Sequence, residues 1–468
     1  MIGKHRLRRI APYLLTAALA MVMVGCVATG KYPNTTFEPK SDLGRAIDFL
    51  WDRMLLLGTI VFVLTEAALL FVVWKYRHRG QQGEPRQIHG NTQLEILWTL
   101  IPAVVLVFIA IPTVRTIFET QAPAPRDALQ IEVIGHQWWW EFRYPQYNIV
   151  TANELYLPTG RTVNFELKTR DVLHSFWIPQ LGAKRDLISN RTNYVWFTTD
   201  STAGGVWNGF CTEYCGASHA NMHFRVFTVT PDQFEAWAAW QASPAAFSAA
   251  APVAPPAAAQ PFDTAAAAQP PIAGTVAEGA VRGVDEPAAP GQMQAGPQQR
   301  IMGLDTGPVP PAGPPGLAAA TPAPGATVPT TVGYFWPAEQ VPAYAIPTSP
   351  LPNLAFNDNL VGDPARGQQA FLPCIACHTI RGNPMAVGTI GPDLTHVGSR
   401  LTLAAGMFPN DTRHMVRWIK NAPRLKPGSL MPALGRGEYD ARTGMTVTAG
   451  GLEDQQIADI AAYLQALK

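Results

Sequence analysis

The residues best equipped for chemistry sit in one short string, Cys211-Thr212-Glu213-Tyr214-Cys215-Gly216-Ala217-Ser218-His219-Ala220-Asn221-Met222, in a turn between two β-type runs. Two thiolates, an imidazole and a thioether from a single loop are soft ligands, a set that suits copper. Upstream, DVLHSFWIP puts His174 between strands, where a β fold can bring it against the loop. Two thiolates on one loop can bridge two metal ions, and a dinuclear copper centre of that kind shares one electron over both metals with little change of geometry. Such a centre transfers electrons rather than binding substrate. Two plainer readings stay open at this level. Cys211 and Cys215 could form a disulfide in an oxidising compartment, or Cys211, Cys215, His219 and His223 could hold a structural zinc ion. His174 and Met222 weigh toward copper, because zinc has little use for thioether sulfur.

A second constellation is Cys374-Ile375-Ala376-Cys377-His378. The CxxCH pattern reads as covalent attachment of haem c, with Cys374 and Cys377 bonded to the vinyl groups and His378 on the iron. The sixth iron ligand is expected to be a methionine, which raises the potential of an electron-transfer haem. Met431, in the proline-flanked LKPGSLMPAL, is the choice; Met385, Met407 and Met415 are the alternatives, with Met415 reading as a helix-face residue in DTRHMVRWIK.

These strings need elements to hold them, and composition sets what is available. The chain has 468 residues, 47% hydrophobic and only 15% charged, where roughly a quarter charged is usual for a soluble domain. That balance points to membrane segments, a long uncharged tract, or both. A formal net charge of +1 gives no electrostatic drive toward nucleic acid, and none is expected as a partner. Basic residues Lys4, His5, Arg6, Arg8 and Arg9, then an apolar run from Ala11 to Val24 and Gly25, have the layout of a bacterial export signal over residues 1–25. Cys26 is then either a lipidated N-terminus or incidental.

A transmembrane hairpin is expected over 40–120. Its helices lie at about 54–74 and 96–118, each long enough for the roughly 20 residues a bilayer takes. The loop between them carries Lys75, Arg77, Arg79 and Arg86 against Glu84, so it is cytoplasmic and the rest lies outside the cytoplasm. Residues 128–242 show short β runs at regular spacing, the pattern of one sandwich or barrel, closed by the helix PDQFEAWAAWQA. Residues 241–350 hold 22 of the 43 prolines and 29 alanines with hardly any charge. Such a tract cannot bury enough apolar surface to offset its ordering entropy, so 243–350 reads as a linker. Its aromatic end, GYFWPAEQVPAYAIP, is expected to pack against a neighbour. A helical haem domain then occupies 358–468, its last run LEDQQIADIAAYLQAL packing across the first helix, GDPARGQQAFLP.

The hairpin, GHQWWWEFRYP, DVLHSFWIP and CTEYCGASHANM together resemble subunit II of haem-copper cytochrome c oxidases, and the haem domain resembles the fused C-terminal cytochrome c of some members. The resemblance covers roughly residues 40–240 and 360–468. It implies a multidomain membrane protein: a two-helix transmembrane hairpin, an all-β cupredoxin-like barrel and an all-α c-type cytochrome domain. It further implies that Cys211 and Cys215 bridge the two coppers, completed by His174, His219, Met222 and the Glu213 carbonyl. The Glu213 side chain would reach toward magnesium at the interface with subunit I. Trp138 corresponds to the aromatic at which electrons enter, and Glu95 to the acid at the mouth of a proton path. One departure is visible: the family usually carries Pro-Gly ahead of Arg191, where Ser189-Asn190 stand here.

The function expected is that of the subunit through which electrons enter a respiratory terminal oxidase. They would run from haem c through the dinuclear copper centre to haem in subunit I, where oxygen is reduced to water, with proton pumping implied by the resemblance. Subunit I and subunit III are the expected partners. The expected donor is a soluble or membrane-bound cytochrome c or an upstream quinol-cytochrome c reductase. The chain would sit in the bacterial inner membrane with its copper and haem domains on the periplasmic side. A quinol-oxidising relative would lack the thiolates, so Cys211 and Cys215 argue against quinol as donor. Competing readings are a copper-delivery module and a zinc-stapled structural domain, which metal content separates.

Overall fold

The computed structural model describes residues 34–78, 80, 83, 90–182, 184–245, 336–337 and 340–468. The export signal, Cys26 and most of the Ala/Pro linker lie outside the described residues. Two long apolar helices come first: α1, Asp42–Tyr76, and α2, Thr92–Thr120. Both start ahead of the apolar windows at 54–74 and 96–118 because polar caps, not hydropathy, set their ends. The Ser41 hydroxyl accepts from Gly44 N–H, and the Asn91 side chain accepts from Gln93 and Leu94 N–H, satisfying donors that a helix start leaves orphaned. At 1.5 Å per residue α1 is about 50 Å long, more than the ~30 Å hydrocarbon core requires. The most apolar window of each helix is buried nowhere against the rest of the chain, as a lipid-facing segment would be.

α1 is tied at its top to the β domain. Asp42 accepts the Thr198 N–H at 2.8 Å, and Lys40 N–H donates to Gln180 at 2.8 Å. The β domain has ten strands: β1 Leu129–His136, β2 Trp139–Tyr144, β3 Ile149–Ala152, β4 Glu154–Pro158, β5 Thr162–Thr169, β6 His174–Trp177, β7 Arg185–Leu187, β8 Asn193–Thr198, β9 Gly205–Cys211 and β10 His223–Val229. They form two five-stranded sheets, ordered β3-β2-β1-β5-β8 and β4-β10-β9-β6-β7. The pairs β1/β5 and β4/β10 are parallel, a cupredoxin-like sandwich. Alternation drives the sheet: Val163, Phe165 and Leu167 of β5 are fully buried while their neighbours are not. Between the sheets Phe176 stacks on Phe224 at 5.1 Å, and Trp140 meets both edge-on.

The register of β6 against β9 sets up the site. Phe176 lies opposite Cys211, so His174, two residues away and on the same face, comes beside the loop that follows β9. The Ser189-Asn190 departure also has a local explanation. Arg191 N–H closes the turn onto Ile188 at 3.1 Å, with Asn190 at φ +60°. That is the position where a type II turn takes Gly or Asn, so the turn of a Pro-Gly pair is kept by other residues. The aromatic segment expected to seek a neighbour seats on this same barrel: the Trp336 ring meets Phe227, and Tyr344 donates to Val206 at 2.9 Å.

Helix α3, Pro231–Gln241, closes the β domain, and the haem domain contains α4 Pro364–Ala370, α5 Thr412–Lys420, α6 Ala422–Leu425 and α7 Asp454–Ala466, plus two ribbons of two-residue strands. α4 crosses α7 at Gly367, where an added Cβ would come within 1.9 Å of the Asp459 carbonyl. The Arg366 guanidinium and the Asp459 carboxylate pair at 2.8 Å across that crossing. The β domain and the haem domain belong to one compact unit.

Among the contacts joining them, Glu154 at the start of β4 accepts the Leu401 N–H at 2.6 Å. Burial raises the Glu154 carboxyl to about 7, opposed by the Leu401 and Thr402 N–H groups and by the charges of Arg400 and Arg225. An acid raised this way keeps its proton when folded after the unfolded chain has lost it, so its contribution falls as pH rises from about 4.5 to about 7. Glu154→Gln is therefore expected to match wild type near pH 4 and to exceed it by roughly 1–3 kcal/mol above pH 7. Unfolding midpoints of the two proteins at both pH values check this, since every other titrating group is common to both.

Candidate functional site

At the end of the sandwich the loop after β9 folds back so that five side-chain donors converge. Cys211 and Cys215 Sγ stand 3.8 Å apart, both free and buried. His174 Nδ1 is 3.7 Å from Cys211 Sγ, His219 Nδ1 is 3.5 Å from Cys215 Sγ, and Met222 Sδ is 3.9 Å from Cys215 Sγ. The Glu213 carbonyl lies 3.3 Å from Cys211 Sγ. A disulfide would hold the sulfurs near 2 Å, so that reading fails. Among the described residues the imidazole grouped with the two thiols is His174, while His223 Nε2 is engaged with the Ala220 carbonyl, which differs from the zinc set of Cys211, Cys215, His219 and His223. His174, Cys211 and Cys215 offer donors within 4.8 Å of one another, and His219 and Met222 flank Cys215, a soft set that fits copper.

The electrostatics drive the two thiols in opposite directions. Hydrogen bonding with Cys215 holds the Cys211 thiol well below the usual thiol range, against the opposing effect of burial and with help from His174. The Cys215 thiol is pushed up by its neighbour Cys211 and by burial. A residue that sequence reasoning missed sets the His174 tautomer: its Nε2–H donates to Asp171 Oδ1 at 2.7 Å, turning Nδ1 to the sulfurs. Burial acts to raise the Asp171 carboxyl, but bonds from His174 and from the Gln137 and Val172 N–H groups bring it below its ordinary value. The signal was present as an acid three residues before the histidine. Asp171→Asn is expected to lower copper affinity by about 10–100-fold, as loss of an outer-shell carboxylate usually does, with the fold retained. Competitive chelator titration followed by absorbance checks this.

In the haem domain Cys374, Cys377, His378 and Met431 line one cavity, walled otherwise by apolar residues such as Phe371, Leu394 and Ile419. His378 Nδ1–H donates to the Pro392 carbonyl at 2.8 Å, which leaves Nε2 for iron. Burial lowers the pKa of this imidazole. Two free thiols, an oriented imidazole and a thioether in an apolar cavity fit a covalently attached haem. Met415 also lines the cavity, but Gln465 Nε2 lies 3.8 Å from its sulfur; Met407 lines a different groove and Met385 is exposed.

Trp138 borders that same cavity and is 7% exposed. Its indole N–H donates to the Cys215 carbonyl at 3.0 Å, beside a 2.7 Å bond from the Gln137 side chain to the same oxygen. One ring thus borders the haem cavity and bonds to the copper loop. The Glu213 side chain is exposed, facing away from the sulfur pair its carbonyl approaches. Glu95 is exposed in the first turn of α2.

Fold and site together define a membrane-anchored cupredoxin-like copper protein joined to a c-type cytochrome. The cytochrome c oxidase subunit II transmembrane domain family matches residues 38–116, the cytochrome c oxidase subunit II periplasmic domain family residues 148–229, and the cytochrome c family residues 364–468. A cytochrome c oxidase subunit 2 of Alkalihalophilus pseudofirmus is 37% identical over 234 residues, covering 48% of this chain and 66%, just under two thirds, of that protein. A probable cytochrome c oxidase subunit 2 of Rickettsia bellii is 30% identical over 222 residues, covering 43% of this chain and 81% of its own. A quinol oxidase subunit 2 of Bacillus spizizenii is 28% identical, covering 49% and 72% respectively. The chain belongs to the cytochrome c oxidase subunit II family and carries a C-terminal cytochrome c domain.

Proposed function

We propose that this chain is the subunit through which electrons enter a respiratory terminal oxidase, standing between a cytochrome c-type donor and the haem of subunit I, where oxygen is reduced to water. The observation that carries this reading is the convergence of His174, Cys211, Cys215, His219 and Met222 on one loop, with the Cys211 and Cys215 sulfurs 3.8 Å apart. When bound, a dinuclear copper centre and haem c supply reversible one-electron chemistry with little rearrangement. The chain's own residues prepare for that. Asp171 orients His174, the Pro392 carbonyl orients His378, and Met431 lines the haem cavity, where its thioether would be available to the iron. Trp138, sealed from water between the two, is the contact at which electrons would cross.

The Glu213 carboxylate would contribute to a magnesium site at the contact with subunit I, and Glu95 would stand at the mouth of that subunit's proton path during pumping. Both side chains are exposed, as residues awaiting a partner subunit would be. Lys75 in the last turn of α1 and Arg77 at its C-cap favour a cytoplasmic hairpin loop and a periplasmic copper domain in a bacterial inner membrane. Because family membership extends to quinol oxidases, the paired cysteines, not the fold, support a cytochrome rather than quinol as donor. Metal analysis with an optical spectrum of the purified complex tests the reading. About two coppers and one iron per chain, with a near-infrared copper band, are expected from such a donor set. Zinc in place of copper would sink it.

A further inference from the structure

Lys426 follows α6 in the haem domain and is 3% exposed, yet no carboxylate pairs with it among the described residues. Its ammonium donates instead to three backbone carbonyls: Trp138 at 2.7 Å, Asn221 at 3.0 Å and Ala404 at 2.8 Å. The first two belong to the copper domain and the third to the haem domain. A buried ammonium is tolerated only where its donors are all met, so the three carbonyls and the cation hold one another in place. Burial lowers the Lys426 pKa to about 7, against the opposing effect of the nearby Cys215 sulfur.

What the cation holds is the tryptophan between the two centres. The Trp138 carbonyl is fixed by Lys426 and its indole N–H by Cys215, while Gly428, two residues past Lys426, lies so close to the ring that a Cβ there would be 2.2 Å away. Ser218, in the copper loop, donates to the Pro427 carbonyl at 2.7 Å, so the turn 426–428 grips the copper domain at every residue. We propose that Lys426 is a positioning residue, the latch that seats the cytochrome domain on Trp138 and so sets how readily the two redox sites communicate. The latch rests on the functional reading above for its purpose but not for its existence. Methionine has nearly the same length and would fill the space, but it would leave three carbonyls unpaired in a dry interface. Undocking then becomes the way for those carbonyls to reach water.

The test uses the full oxidase complex carrying Lys426→Met, compared with wild type. Hydrogen exchange of the His223 amide, which donates across the interface to Ala405, reads docking directly. It is expected to quicken by about 10–100-fold, as loss of buried hydrogen bonds to a charged group implies. Light-driven reduction of the haem by a soluble ruthenium photosensitiser, followed by the copper band, is expected to give slower passage that now depends on ionic strength. Haem content, haem potential and copper content should not move. Unchanged exchange at His223 overturns the proposal, as does unchanged passage, and so does faster exchange spread through the whole haem domain, which would mark a merely structural lysine. If Lys426→Met fails to take up haem, Lys426→Gln, which keeps two donors, is read the same way and should fall between the two. Zinc in the copper loop would defeat the functional reading while leaving the exchange result standing.

Discussion

Replacing Cys211 with serine is expected to abolish the paired copper and, with it, oxygen reduction driven by a cytochrome donor, while leaving haem attached and the fold intact. The substitution changes almost no volume, and Cys211 ends β9 opposite Phe176 in a sheet whose core it does not fill alone. What it changes is chemistry. The Cys211 sulfur lies 3.8 Å from Cys215 Sγ, 3.7 Å from His174 Nδ1 and 3.3 Å from the Glu213 carbonyl, so it is the donor common to both halves of the site. A serine hydroxyl does not ionise in this range and offers a hard oxygen where a soft thiolate is needed. If the two metals share this sulfur as proposed, its loss would remove a ligand from each of them. Copper should fall from about two to at most about one per chain, with the near-infrared band gone. Metal analysis and the optical spectrum give the result directly. Retention of two coppers with normal turnover would mean that the sulfurs are not shared.

Both constellations were readable in the sequence because their ligands are local. Cys211 to Met222 is a single loop, and Cys374, Cys377 and His378 lie within five residues, so spacing alone carries the chemistry. His174 needed a fold to bring it in, and the β6/β9 register supplies it. What stayed hidden is what depends on long-range pairing. Lys426 reaches Trp138 across 288 positions, and nothing in LKPGSLMPAL distinguishes a latch from an ordinary surface lysine. Glu154 in NELYLP reads as one more strand residue until Leu401 is seen to donate to it from the other domain. The aromatic end of the linker was legible as something that packs, but not as something that packs on its own barrel, because composition specifies burial and not the burying surface. Helix ends were misjudged for a related reason: hydropathy marks the stretch that lipid must cover, whereas Ser41 and Asn91 decide where the hydrogen-bonded turns begin.

Gly428→Val is expected to weaken the docking of the two domains strongly. The residue sits at φ +85°, a backbone conformation that a β-branched side chain resists strongly, and its missing Cβ is occupied by the Trp138 ring. Left-handed strain of about 1–2 kcal/mol and overpacking of about 1–3 kcal/mol act together, so docking should weaken by at least about 2 kcal/mol, some thirtyfold. Passage of electrons from haem to copper should slow accordingly in the loaded complex, and the His223 amide should exchange faster. The two contributions can be told apart by a double-mutant cycle with Trp138→Ala. Removing the ring relieves the clash but not the strain, so in the Trp138→Ala background Gly428→Val should weaken docking by less than it does in wild type. Equal effects in both backgrounds would assign the whole loss to backbone strain and would mean that contact between Gly428 and Trp138 contributes nothing to holding the cytochrome domain against the copper loop.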